Sequence, residues 1–137
     1  MISIRLPILV MFLTGIFVQV ALAQSEESFE TVRKQFPFAV LESDTIDLGK
    51  LGYGQQIRPS IRIRNEGEHD MLIAKVRSSC GLMIPTWPVE PVAHGDEAVI
   101  QLRYDTSRLG PFVRYVVIHT NAWQKTLTVT VMGEITP

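Results

Sequence analysis

Apolar and polar residues alternate with a period of two through most of the chain from Phe38 onwards. In residues 57–64, three isoleucines and Pro59 share one face of an extended chain, while three arginines and Ser60 share the other. Side chains of a β-strand point to opposite faces in turn. The alternation therefore predicts strands with one buried face and one face in water.

Turn signals divide the alternating region into short strands. Glycine, proline, asparagine and aspartate cluster between the apolar runs, as in the polar turn at residues 65–70. The predicted strands are residues 38–41, 45–48, 57–64, 71–78, 98–104, 112–120 and 127–131. Their number and spacing predict an all-β fold, an immunoglobulin-like β-sandwich of about seven strands, with a closed barrel as the alternative.

Three of these strands carry further information. Residues 112–120 are apolar on both faces, which predicts a central strand. Pro59 cannot donate to a ladder, so the strand at 57–64 is expected at a sheet edge or with a bulge near its start. The short polar turn between strands 57–64 and 71–78 predicts that these two form a hairpin.

The first 23 residues have the features of a signal peptide. Arg5 is their single charge, a long apolar run follows it, and Ala21 and Ala23 form a small-x-small cleavage site before Gln24. A retained membrane anchor is the alternative, although Pro7 and other residues interrupt a run that is marginal against the roughly 20 apolar residues of a spanning helix. Cleavage would leave an exported protein, in the periplasm or outside the cell, without stable membrane insertion.

The mature chain is expected to hold one domain. Residues 24–37 are polar and predict a linker with about one helical turn, and residues 38–137 form the predicted sandwich domain. Without Arg5 the chain has 12 basic and 14 acidic residues with the signs interspersed, so nothing attracts nucleic acid or acidic lipid. With one cysteine, an exported chain cannot close an internal disulfide, and its stability must come from apolar packing.

Candidate chemistry is concentrated in residues 76–95, which contain the single cysteine. Cys80 could act as a nucleophile with His94 or His119, but neither spacing supports this, and a free cysteine more often packs as a small apolar residue. Cys80, Met83 and His94 could bind a soft metal, but they lack the spacing of a metal site. We therefore predict no catalytic residue, no cofactor and no metal.

Two tryptophans have two interpretations each. Trp87 lies between Pro85 and Pro88, where it could bind a partner or plug one end of the sandwich, and the second interpretation is favoured. Trp123 lies in a predicted turn and is expected to be the more exposed of the two. Cys80, Gly81, Trp87 and Trp123 are the candidate interaction or thiol residues.

Several motifs together resemble the bacterial secreted family known as domain of unknown function 1573. They are Asn65-Glu66-Gly67, residues 72–81 ending in Cys80-Gly81, Pro85-Thr86-Trp87-Pro88, Pro91-Val92, Gly95, Tyr104-Asp105-Thr106, Gly110-Pro111-Phe112 and Thr120-Asn121. The resemblance covers about Asp47 to Gly133. It implies an immunoglobulin-like sandwich related to major-sperm-protein and chaperone-like domains, exported to the cell envelope, with no known enzymatic activity.

The chain departs from the pattern of that family at one position. The family motif usually reads Cys-Gly-Cys, and here Leu82 replaces the second cysteine. A thiol pair or a two-sulfur metal site therefore cannot be carried over, and an apolar side chain favours packing at that position.

The sequence as a whole predicts an exported, non-catalytic immunoglobulin-like module. Its partner would be an unknown protein or an envelope component, bound through end loops or an exposed strand edge such as the Pro59 strand. The alternative is thiol chemistry or an intermolecular disulfide at Cys80, because an unpaired cysteine in an oxidising compartment is a liability unless it is buried or used.

Overall fold

The computed structural model describes residues 6–80 and 83–137, and the chain divides after Val32 into two compact units. Helix α1 runs from Leu6–Gln35. Where the sequence predicted about one helical turn within residues 24–37, the helix continues to Gln35. The side chains of Ser28 and Thr31 bond to carbonyl oxygens four residues earlier, and Pro37 prevents further helix.

The signal-peptide prediction for residues 1–23 stays a prediction, and the first five of those residues lie outside the described part of the chain. Within residues 6–80 and 83–137, no helix has the combined length and apolar character of a membrane span.

The second unit contains the eight strands of the described residues. They are β1 Ala39–Leu41, β2 Thr45–Gly52, β3 Ser60–Asn65, β4 Ile73–Ser78, β5 Met83–Thr86, β6 Glu97–Tyr104, β7 Gly110–Thr120 and β8 Thr126–Thr136. The first sheet has the order β1-β3-β6-β5 and the second has the order β2-β8-β7-β4. All neighbours are antiparallel except β2 and β8, which are parallel.

This order is that of an immunoglobulin-like sandwich. In the usual lettering the first sheet reads A-B-E-D and the second reads A′-G-F-C, because the chain switches sheets between β1 and β2. The predicted all-β fold class is confirmed, and β7 is central in its sheet as predicted.

The core lies between the sheets and follows from the period-two pattern. Every second residue of β3 and β6 is buried. The residues without any exposed surface include Ile63, Ile100, Val116, Ile118, Val129 and Val131. Full burial of each such side chain stabilises the fold by about 1.5 to 3 kcal/mol.

Three expectations about individual strands need correction. Strands β3 and β4 do not form a hairpin, since β3 belongs to the first sheet and β4 to the second. Of the two alternatives for the strand that contains Pro59, the sheet edge is wrong, because β3 lies between β1 and β6. Pro59 precedes β3, where its carbonyl accepts a bond of 2.8 Å from the N–H of Leu102 and its missing N–H removes only the reciprocal bond. β5 was not predicted as a strand.

Asn65 joins three parts of the chain at the end of β3. Its side chain is fully buried, and its Oδ1 accepts hydrogen bonds from the N–H groups of Phe38 (3.2 Å) and Gly67 (3.0 Å). Its Nδ2 donates to the carbonyls of His69 (2.7 Å) and Val92 (2.8 Å). The side chain thus replaces backbone pairing where the chain crosses from the first sheet to the second.

Candidate functional site

Cys80 lies immediately after β4, is partly exposed and packs against the core. Its carbonyl accepts a hydrogen bond of 2.7 Å from Ser78 Oγ and a longer one, of 3.4 Å, from the N–H of Met83. The neighbouring candidate Gly81 lies outside the described residues, as does Leu82. The predictions for those two positions therefore stay predictions.

Tyr104 and Arg114 lie near Cys80 between the two sheets. Tyr104 is only 4% exposed and its ring stacks on Phe112 at 4.5 Å. Burial raises the pKa of Tyr104, the nearby Arg114 guanidinium opposes this rise by its charge and a hydrogen bond, and Cys80 adds to the rise. The inward position of Arg114 was missed from the sequence, although its alternation with Phe112 and Val116 carried the signal.

Trp87 follows β5, is half-buried and packs against the core. The interpretation of Trp87 as a plug at one end of the sandwich stays a prediction. Met83, which was considered with Cys80 as a metal ligand, is 2% exposed. Within the described part of the chain, no three side chains of histidine, cysteine, aspartate or glutamate come together as metal ligands would.

Trp123 lies in the turn between β7 and β8 and is 51% exposed. Its ring meets that of Phe36, itself 41% exposed, with 5.4 Å between the centroids and a tilt of 47°. We call Phe36 and Trp123 the aromatic corner. The contact joins residues 87 positions apart in the sequence, so no local pattern could have predicted it.

Hydrogen bonds to the backbone of Pro37 and Ala39 hold the turn that carries Trp123 in place. The N–H of Trp123 donates to the carbonyl of Pro37 at 2.9 Å. The side chain of Gln124 bonds in both directions with Ala39, accepting from its N–H at 3.1 Å and donating to its carbonyl at 2.8 Å. Lys125 has a φ of 58°, a left-handed conformation that is uncommon for residues other than glycine.

The aromatic corner borders an open depression of about 600 Å³. Its other lining residues are His119, Thr120, Asn121, Ala122, Lys125 and Thr126. The Asn121 side chain is already engaged, since its Oδ1 accepts from the N–H of Leu72 at 2.7 Å and its Nδ2 donates to Asp70 O at 3.2 Å. Two aromatic rings, a lysine and a histidine therefore line the depression.

The outer faces of the two sheets differ in character. On the first sheet, Arg62 pairs with Glu42 at 3.8 Å and Arg64 with Glu97 at 3.6 Å, which makes a polar surface. Such exposed ion pairs contribute little to stability, about 0 to 1 kcal/mol each.

On the second sheet, an apolar strip runs along the outer face of β7. Val113 is 48% exposed and Tyr115 is 49% exposed, and their neighbours on β8 are Met132 and Thr130. The apolar outer side of β7, which was apparent in the sequence, is thus exposed at these two residues.

The edge of this second sheet is basic. Lys75 and Arg77 on β4 are both exposed, and they stand opposite His119 and Val117 of β7. In the described part of the chain, neither cation takes part in an ion pair. Basic and apolar groups therefore lie together on one side of the sandwich.

Residues 39–135 match a family model described as a protein of unknown function, DUF1573. The chain belongs to the DUF1573 family. No curated protein matches it.

Solved structures similar to this DUF1573 chain include a protein of unknown function from Porphyromonas gingivalis W83. The TM-score is 0.64 at 18% identity, over 72% of this chain and 46% of that one, so the chain spans less than half the length of that protein. PapD-like domain 7 of human CEP192 has a TM-score of 0.60 at 9% identity, over 72% of this chain and 84% of that domain. The YadV chaperone has a TM-score of 0.57 at 14% identity, over 72% and 52% respectively. At these identities the likeness shows the fold alone.

The structure gives a packing explanation for one motif of this DUF1573 chain. Asn65 makes the four buried hydrogen bonds described above, and Gly67 is the residue at which the chain passes close to another segment. A Cβ added to Gly67 would overlap the carbonyl oxygen of Phe36 and lie 2.7 Å from the Cα of Pro37. These two motif residues therefore have a structural role, whereas Trp123 and Phe36 are exposed.

Proposed function

We propose that this protein is an exported, non-catalytic immunoglobulin-like module that binds another protein or an envelope component through the second sheet and the aromatic corner. The observation that carries the proposal is the exposed and rigidly held pair of Phe36 and Trp123. Tryptophan is among the residues that contribute most to binding at protein interfaces.

The way in which the aromatic corner is held supports a binding role. The bonds of Trp123 to Pro37 and of Gln124 to Ala39 fix the turn before any partner arrives. A preorganised surface loses less conformational entropy on association than a mobile one. The apolar strip of Val113 and Tyr115 lies farther along β7, with Tyr115 roughly 17 Å from the start of the turn, and gives the second sheet a further exposed apolar surface.

The non-catalytic part of the proposal rests on the candidate residues themselves. Cys80 follows β4 and packs against the core, whereas His119 stands on the exposed face opposite Lys75. His94 bonds through Nδ1 to the carbonyl of Gly67 at 2.8 Å. The positions of His94 and His119 are thus explained without a catalytic interaction with Cys80.

Crosslinking in envelope extracts tests the proposal with a matched pair of variants. Trp123→Ala removes the exposed ring of the aromatic corner, and Tyr53→Ala removes a ring that is 60% exposed elsewhere on the sandwich. We expect one discrete adduct with the unaltered protein and with Tyr53→Ala. Trp123→Ala should weaken its formation about thirtyfold, since the loss of a binding hot spot costs about 2 kcal/mol or more. Equal adduct formation by both variants, or none by the unaltered protein, would contradict the proposal.

A second candidate function is thiol chemistry at Cys80, favoured by its partial exposure. A cysteine that serves only as packing should be shielded from reagents in the folded protein. Maleimide labelling of the native protein, compared with the denatured protein, separates the two. Reaction only after denaturation would end the thiol hypothesis, and prompt native reaction would support it.

A further inference from the structure

Three of the four sheet edges carry features that hinder the addition of another strand. β1 has only three residues, and β5 has four, including Pro85. β2 shifts its register between Asp47 and Lys50, around Gly49 with a φ of 64°. Short length, proline and bulges are the devices by which natural proteins block strand pairing at an edge.

β4 is different from the other three edges. It has six residues without proline or glycine, and among the strands that the structure describes it is hydrogen-bonded to β7 alone. Its own register shift lies at its start, between Ile73 and Lys75, and pairing is regular from there to Ser78. The free side of this strand therefore offers an ordered row of backbone donors and acceptors.

The feature of β4 that still opposes the addition of another strand is its positive charge. The effect of this charge depends on the charge of the strand that is added. Lys75 and Arg77 lie on the same exposed face, with Val76 buried between them at 4% exposure. Like charges placed opposite each other across two strands are destabilising, and opposite charges are stabilising. Edge-to-edge pairing of β4 with β4 of a second copy would oppose two cations to two cations. An acidic strand would instead meet both with opposite charge.

We infer that β4 accepts an extended acidic segment of a partner as a fifth strand of the second sheet. The acidic side chains of this segment lie on the outer face beside Lys75 and Arg77, and its apolar side chains alternate with them on the side of Val76. The inference rests on the proposed binding function and specifies the edge and the chemistry of the partner. Main-chain hydrogen bonds provide the affinity and the alternating charges provide the selectivity.

A synthetic peptide with alternating glutamate and valine, blocked at both ends, tests the inference on the full chain by fluorescence anisotropy. Two comparison peptides are used, one with lysine in place of glutamate and one with a central proline that keeps the charge but breaks the main-chain ladder. We expect the glutamate peptide to bind at least about tenfold more tightly than either comparison peptide. Equal binding of the proline peptide would overturn strand addition.

Charge-reversal variants locate the site. The double variant Lys75→Glu with Arg77→Glu should bind the glutamate peptide at least about tenfold more weakly than the unaltered protein does, and should bind the lysine peptide more tightly. A misfolded variant could not show this gain in affinity. Arg58→Glu with Arg103→Glu makes the same change in charge at two exposed positions away from β4, one just before β3 and one on β6. This double variant should bind as the unaltered protein does. Weaker binding of the glutamate peptide by both double variants, or by neither of them, would contradict the assignment of the binding site to β4.

The outcome can be separated from that of the proposed function. If crosslinking depends on Trp123 while the glutamate peptide does not bind, the inference about β4 fails and the binding module stands. If neither is observed, both fail.

Discussion

Replacing Asn65 with alanine removes four hydrogen bonds from the place where β3 leaves the first sheet. Three backbone groups then lose their partner, namely the N–H groups of Phe38 and Gly67 and the carbonyl of His69. The carbonyl of Val92 keeps a bond, because it also accepts from the N–H of Met71 at 2.9 Å. The loss in the free energy of unfolding is therefore set by three backbone groups and not by four.

The expected loss follows from how well water can replace each bond. An unsatisfied buried donor or acceptor costs about 1 to 3 kcal/mol. The N–H of Gly67 belongs to a buried residue, whereas Phe38 is half-buried and His69 is exposed, so the latter two can regain water. We expect Asn65→Ala to lower the free energy of unfolding by about 2 to 4 kcal/mol, a large share of the roughly 5 to 15 kcal/mol of a domain.

Chemical denaturation measures this loss, with Asn121→Ala as the matched control. Asn121 also bonds the backbone through both side-chain atoms, but it is exposed, so its loss should cost less than about 1 kcal/mol. An Asn65→Ala variant no less stable than the Asn121→Ala variant would refute the reasoning.

Three further predictions concern packing, pH and export. Gly67→Ala should cost about 3 kcal/mol or more, because its Cβ overlaps backbone, whereas Gly54→Ala, with a φ of 76° and open space, should cost about 1 kcal/mol; equal melting temperatures would contradict this. Burial raises the pKa of Tyr104 above its ordinary 10.0, so its neutral form stabilises the fold below pH 10 and this contribution is lost as the pH rises through the higher folded value. Denaturation at rising pH should therefore show a steeper loss in the unaltered protein than in Tyr104→Phe, and parallel curves would disprove it. The mass of the protein recovered from a bacterial envelope should correspond to a chain that starts at Gln24, and a chain that starts at Met1 would speak against cleavage.

Local alternation was enough to predict most strands but not their partners. The pattern in residues 57–64 shows that one face is buried, and both sheets bury a face in the same way. The short polar turn after Asn65 therefore suggested a hairpin, whereas the buried side chain of Asn65 fixes a crossing between sheets. β5 was missed because Pro85 interrupts its four residues and conceals the period.

The candidate site was only partly predictable for a related reason. Unlike the half-buried Trp87, Trp123 is 51% exposed, and it was expected to be the more exposed of the two tryptophans. Its contact with Phe36 depends on the docking of Pro37 against the turn, which no local pattern reports. The basic edge formed by Lys75 and Arg77 became apparent only when β4 was placed at the side of a sheet.

A photo-crosslinking amino acid in place of Thr126 tests the central claim most directly, with the same amino acid in place of Tyr53 as the control. Thr126 lines the depression beside the aromatic corner, so the probe leaves Phe36 and Trp123 in place. Both substituted positions are exposed. Binding at the aromatic corner predicts one discrete adduct in intact cells from position 126 and none from position 53. The absence of an adduct from position 126, or the same adduct from both positions, would contradict it.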